Sequence, residues 1–187
     1  MIDSVVMTTS TRRLEFRELK RAEIDRIWTI DRREHIANIY RLVDGGLQLE
    51  AHDFDVPGWH PDNVAKTTPL LYEMFDRGAR FFASFDGEQL AGVSVLDTLP
   101  RGERSHLLQL ELLHVGRDYR GQGLGSRLLE QARAAARELG ARGLYISATP
   151  SENTVRFYQR CGATVLALPD PELFALEPED IHLECPV

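Results

Sequence analysis

The chain has little cysteine, a deficit of positive charge and no long apolar run, and each shortage excludes something. Only Cys161 and Cys185 occur among the 187 residues. Two isolated thiols make neither a disulfide framework nor the paired spacing of a zinc site, and the expected setting is a reducing cytoplasm. No stretch approaches the ~20 consecutive apolar residues that a membrane-spanning helix needs, so no membrane partner is expected. Residues 1–13 lack the basic, apolar and small-residue blocks of a secretory signal. With Thr8, Thr9, Ser10 and Thr11 in a row, residues 1–12 read as a flexible tail ahead of a single domain over 13–187. Lys plus Arg number 22 against 29 Asp plus Glu, a net charge of −7. Such a chain is a poor nonspecific nucleic-acid binder; its acidity suits a cationic substrate or simply solubility. His52 and His60 flank an acidic stretch at a spacing that matches no metal motif, so no metal is expected. Internal repeats, low-complexity tracts and domain linkers are absent from the sequence.

What is present is the make-up of a folded domain, with 43% hydrophobic and 27% charged residues and length for one full core. Residues 14–19 alternate apolar and charged side chains, as a half-buried strand does. Residues 22–30 place Ile24, Ile27, Trp28 and Ile30 on a helical face. A second helix is predicted over 34–42, with Ile36, Ile39, Tyr40 and Val43 apolar and Gly45-Gly46 as its stop. Residues 47–63 read as irregular, because Pro57, Trp59 and Pro61 break any periodicity; a helix over 63–77 follows. Residues 80–85 and 89–96 read as strands joined by a tight turn at Asp86-Gly87. Residues 107–115 predict another strand, with Leu107, Gln109, Glu111, Leu113 and Val115 alternating onto one face and Leu108, Leu110 and Leu112 onto the other, and 124–139 an amphipathic helix closed by Gly140. Then come a buried strand over 144–148, a helix capped by Ser151 and ended by Gly162, and closing strands over 163–168 and 181–185. A hairpin feeding a β-α-β unit implies an α/β fold: a mixed sheet with helices on both faces.

The most informative run is residues 120–126, Arg-Gly-Gln-Gly-Leu-Gly-Ser, between the strand over 107–115 and the helix that follows. A glycine-rich turn at a helix start leaves main-chain N–H groups free and lets the backbone approach a ligand closely. The helix N-terminus adds partial positive charge, and the whole suits a phosphate or diphosphate. A P-loop needs Lys-Ser/Thr after its last glycine, but Ser126 and Arg127 follow Gly125. A dinucleotide fingerprint counted from Gly121 needs its third glycine where Ser126 stands. The pattern Arg/Gln-x-x-Gly-x-Gly/Ala is met in full by Arg120, Gly123 and Gly125. Downstream, residues 153–162 read Asn-Thr-Val-Arg-Phe-Tyr-Gln-Arg-Cys-Gly, with a Phe-Tyr pair ahead of a helix-ending glycine.

Through these two motifs, in this order, the chain resembles the GNAT family of N-acetyltransferases, most specifically over 107–162. The resemblance implies the GNAT fold, a mixed sheet splayed between its fourth and fifth strands, and acetyl-CoA as cosubstrate without a metal. It implies that the N–H groups of Gly121, Gln122, Gly123, Gly125 and Ser126, with Arg120, hold the diphosphate. It implies that main chain at Leu113, His114 and Val115 pairs with the pantetheine arm, and that Tyr158 is the general acid for the leaving thiolate. Asn153 falls near the position of an asparagine beside that arm, although strict spacing from Tyr158 puts Ser151 there. Bases in such proteins fall at positions matching Gln109 and Glu111, and glutamine cannot serve. Glu111, in the middle of an apolar strand, is the candidate: desolvation raises a carboxyl toward neutrality, the state that suits removal of a proton from an ammonium. A solvent-facing or arginine-paired glutamate is the competing reading.

The expected function is acetyl transfer from acetyl-CoA to a primary amine, of a small molecule or a protein; a non-catalytic acyl-CoA sensor is the alternative. No covalent intermediate is required, so neither cysteine is needed as a nucleophile. Tyr40, Trp59, Glu50, Asp53 and Asp55 could frame a cationic acceptor or simply form a solvated loop, and the acidic run over 177–180 reads as a surface turn. A homodimer is compatible with the resemblance.

Overall fold

A computed structural model describes residues 13–102 and 106–187; the tail expected over residues 1–12 lies outside them. The elements run β1 (Glu15–Glu18), a 3₁₀ helix (Arg21–Thr29), β2 (Glu34–Val43), β3 (Gly46–Val56), α1 (Pro61–Asp76), β4 (Arg80–Asp86) and β5 (Gln89–Arg101). They continue with β6 (Leu107–Val115), α2 (Leu124–Glu138), β7 (Gly143–Ala148), α3 (Glu152–Arg160), β8 (Thr164–Val165), α4 (Pro171–Leu176) and β9 (Ile181–Pro186). The main sheet has the order β1-β4-β5-β6-β7-β9-β8. Its neighbours are antiparallel except β6 and β7, which α2 joins by a parallel crossover.

Both faces are covered, as the element order implied. Leu128, Leu129 and Ala132 of α2 and Val155 of α3 close one core against Leu108, Leu110 and Ile146. Ile24 and Ile27 of the 3₁₀ helix and Leu71 of α1 close the other against Phe81, Val93 and Val95. These apolar stripes recur at helical spacing on one side and strand spacing on the other.

The sheet opens between β6 and β7. They pair at Leu107↔Gly143, Leu108↔Leu144 and Gln109↔Tyr145. Beyond that point β6 continues along β5 to Val115, and β7 continues along β9 to Ala148. This wedge is the splay expected between the fourth and fifth strands; it carries later numbers because β2 and β3 precede it.

Three expectations are corrected. Residues 34–42 are a strand, not a helix, and 47–56 are its partner, not an irregular stretch. The helical look came from Ile36 and Ile39, both buried. Between Ile36↔Phe54 and Asn38↔Ala51 the register shift puts its extra residue on β3, so β2 alternates without a break and Ile36 and Ile39 are buried on opposite faces of it. Asp44-Gly45, with φ of 50° and 78°, is the hairpin turn; the glycines that resembled a helix stop are part of it. Second, strict alternation fails in β6. The register passes from Leu96↔Leu110 to Val95↔Leu112, leaving Glu111 as a bulge. Leu108, Leu110, Leu113 and Val115 therefore share the α2 core, while Leu112 packs in the other. Third, the strand expected over 163–168 shrinks to Thr164–Val165. An unforeseen α4 follows, its N–H groups at Glu172 and Leu173 capped by Asp170.

Candidate active site

On the α2 side of the wedge, β6 ends in a short 3₁₀ turn, Arg117–Tyr119. Tyr119 is buried and its hydroxyl lies 3.0 Å from Asp86 Oδ2 and 3.2 Å from Gln89 Oε1, fastening the turn to the β4–β5 hairpin. Gly121 and Gly123 then take φ of 72° and 79°, a region costly for other L-residues. A Cβ at either would meet nothing within 4 Å, so their outer side is open to a ligand. The first hydrogen bond of α2 runs from Arg127 N–H to Gly123 C=O at 3.1 Å. The N–H groups of Leu124, Gly125 and Ser126 precede it and have no partner inside the helix. Gly125 sits against Phe157, whose ring would be 3.4 Å from an added Cβ.

One cleft of about 1040 Å³ brings together Leu113, Val115, Gly121, Gly123, Gly125, Ser126, Asn153 and Tyr158. Arg33, Arg117, Arg120 and Arg160 also line it, with Glu34 and Asp55 among them. Ser151 caps α3, accepting from Thr154 N–H at 3.3 Å, and so sets the helix that carries Tyr158. Tyr158 is 6% exposed, and no hydrogen bond among the described residues engages its hydroxyl. Burial holds that phenol well above its ordinary pKa, so it keeps its proton.

Other expected residues are placed differently. Arg120 is spent on the protein: its guanidinium donates to the carbonyls of Val115, Arg32 and Arg33 at 3.1, 3.2 and 3.3 Å. Gln122 donates to the Asp118 carbonyl at 3.0 Å and is not among the cleft residues. Asn153 donates to Glu34 at 3.1 Å. The His114 ring packs edge-on to Trp59 with centroids 4.7 Å apart. Burial, and then Arg32 and Arg120, push its pKa down to about 3, so it stays neutral.

Glu111 lies beyond the last β6–β7 pair. It accepts from Gln109 Nε2 at 2.7 Å. Burial first, then Glu177 and Asp97, raise its carboxyl to about 7. Asp97 is fully buried and accepts from Nε and Nη2 of Arg77, at 3.0 and 2.8 Å. The acidic run over 177–180, which reads as a plain surface turn, reaches this place from the far end of the chain. Asp180 is pushed up to about 7 by burial and by Glu177. Of Tyr40, Trp59, Glu50, Asp53 and Asp55, only Asp55 lines the cleft. Glu50 pairs with Arg41 at 2.8 Å, Asp53 and Asp55 flank exposed His35, and Trp59 packs on Trp28.

Sequence reasoning missed the base of the β2–β3 hairpin, where Arg33, Glu34, His35 and Val56 line the cleft. The Asp44-Gly45 turn was the signal that could have found it.

A mixed sheet with one opened strand pair, a glycine turn facing the opening and a phenol beside it define an α/β domain whose wedge gathers main-chain N–H groups and titratable side chains. A profile of the acetyltransferase (GNAT) family matches residues 47–163, and the chain belongs to that family. Nothing among curated protein sequences matches it significantly. Among solved structures, a nourseothricin acetyltransferase superposes with a TM-score of 0.69 at 23% identity, over 92% of this chain and 98% of that one. A Bacillus anthracis protein assigned as a streptothricin acetyltransferase, solved with acetyl coenzyme A, gives 0.63 at 20% identity, over 95% and 99%. The ribosomal-protein-S18-alanine N-acetyltransferase of Escherichia coli gives 0.59 at 14% identity, over 94% of each chain. At such identities the likeness is one of fold. No helix among the described residues is long and apolar enough to cross a membrane.

Proposed function

We propose that the protein is an acetyl-CoA-dependent N-acetyltransferase acting on a primary amine by direct transfer. The observation that carries this is the shared cleft: the open glycine turn, the β6 main chain past its last pairing with β7, and the unengaged phenol of Tyr158 all face one space. The coenzyme supplies an acetyl group activated as a thioester.

The residues present fit such a ligand. Open space at Gly121 and Gly123 lets the main chain approach a diphosphate, and the N–H groups at the start of α2 offer it hydrogen bonds. Main chain at Leu113 and Val115, unpaired on the β7 side, can accept an extended amide arm as an added strand. Tyr158 keeps its proton at its hydroxyl until a departing thiolate needs it. Glu111, near 7, is poised to remove a proton from an ammonium. Arg120 serves by positioning, since it ties the end of β6 to residues 32–33.

The name of one structural neighbour, an N-acetyltransferase of the alanine of ribosomal protein S18, supports an amine acceptor, and two others are named for nourseothricin and streptothricin. The test is thiol release from acetyl-CoA with a panel of amines, beside calorimetry of coenzyme binding. Turnover with tight binding is expected. Binding without turnover of any amine or peptide N-terminus would assign the chain as an acyl-CoA sensor, and absence of binding would overturn the reading.

A further inference from the structure

The α1 side of the wedge holds more negative charge than one reacting amine requires. Register places it. Gln109↔Tyr145 is the last β6–β7 pair, and Glu111 stands two residues beyond it on β6. On the other arm, Ala148 pairs with Ile181, so Asp180 and the turn from Glu177 stand at the same open end. That turn is closed by Asp180 N–H donating to the Glu177 carbonyl at 3.2 Å.

The local cations are already committed. Arg77 is held by Asp97. Arg101 pairs with Glu172 at 2.5 Å and approaches Asp170 at 4.0 Å. Arg41 takes Glu179 at 3.0 Å and Glu50 at 2.8 Å. Glu111, Glu177 and Asp180 are left with no ion pair among the described residues.

A separate observation points to a ligand at this place. Gln109 is 7% exposed. Its Nε2 is used on Glu111, which sets the amide against the cluster, and its buried Oε1 has no hydrogen-bond partner. A buried acceptor left unmade is costly. An ammonium carries three donors and no acceptor, which complements a carboxylate beside an orphaned amide oxygen.

We infer that the acceptor is a small molecule with at least two cationic groups: the reacting amine seated at Glu111 and Gln109, and a second cation held by Glu177 and Asp180. This rests on the acetyltransferase reading and adds to it a substrate class. A monoamine leaves the neighbouring 177–180 carboxylates to share a proton; a diamine lets both stay ionised against its second cation.

The experiment compares diaminobutane with pentylamine, two amines of matched length. Calorimetry on protein saturated with CoA measures their binding without requiring turnover, and thiol release gives kcat and KM. Wild type should bind diaminobutane at least about tenfold more tightly, the size expected of one partly desolvated charge pair. Asp180→Asn and Glu177→Gln should remove that preference, read within each variant as the ratio of the two amines' dissociation constants and of their KM values. Equal binding of the two amines, or a preference that survives both substitutions, overturns the inference. Failure of the acetyltransferase reading looks different: CoA itself does not bind.

Discussion

The two sides of the β6–β7 wedge are built from different materials. The α2 side is a main-chain site, made of two glycines with positive φ, N–H groups at a helix start and the free edge of a strand. The α1 side is a side-chain site, made of Glu111, Gln109, Asp97, Arg77 and the turn holding Glu177 and Asp180. Main chain offers the same donors whatever the residue, so the first side suits a ligand common to a family. Side chains carry charge and shape, so the second suits the partner that distinguishes one protein from another. Tyr158 sits on the first side yet feels the Asp180 carboxyl of the second, which makes it the junction of the two.

Substitutions can break this contrast. The largest expected effect is at the junction. Tyr158→Phe should lower kcat by about 10²–10⁴ while calorimetry finds coenzyme affinity unchanged, because the lost atom is a hydroxyl with no structural partner. An unaltered kcat would remove Tyr158 from the chemistry. Glu111→Gln comes next and carries a pH signature. With the carboxyl at about 7, activity should climb about tenfold per pH unit below that point and level above it; the glutamine variant should lose the climb. Stability moves the opposite way. The folded carboxyl is raised from 4.5 to about 7, so its contribution is complete below about 4.5 and is lost as pH rises through 7. Urea titrations of wild type should therefore show up to about 3 kcal/mol less stability at pH 8 than at pH 4 from this group, at 1.36 kcal/mol per unit, and the variant should lack that component.

The third effect separates the sides by stability. Arg77→Met strands the fully buried carboxylate of Asp97 and should cost about 3 kcal/mol, read by denaturant midpoint. Gly123→Ala forces a left-handed conformation at φ 79° and should cost about 1–2 kcal/mol, with a matching loss of coenzyme affinity. If both substitutions weakened coenzyme binding equally, the division into a main-chain side and a side-chain side would fail.

The same division explains what could be read from the sequence. The α2 side was legible because glycine turns and caps are local: Gly121 and Gly123, Ser151 and Gly162 act within a few residues of themselves. The α1 side was not, because it joins Glu111 to a turn some seventy positions later, and only the β7–β9 pairing brings that turn back. Glu111 itself was half-legible: its buried, apolar strand was visible, but the bulge that turns it off the Leu113–Val115 face is invisible to strict alternation. The β2–β3 hairpin was lost because Ile36 and Ile39, buried on opposite faces of one strand, have a helical spacing.

The smallest effect tests whether the two sides share a frame. Ser151 does two jobs: its side chain caps α3 by accepting from Thr154 N–H, and its backbone bridges to Ile39 of β2. The neighbouring Pro150 carbonyl accepts from Tyr40 N–H at 2.7 Å. Ser151→Ala removes the cap and the hydroxyl's own bond to Thr154 Oγ1 at 2.9 Å, and leaves the main-chain bridge. It should cost about 1 kcal/mol, a fall of roughly 2–4 °C in Tm for a chain of this size. Coenzyme affinity should hold, since the bridge still locates the start of α3. A drop in kcat at constant coenzyme affinity would mean that the cap also sets the Tyr158 hydroxyl. A loss of affinity would mean that α3, and not the glycine turn alone, shapes the anion side.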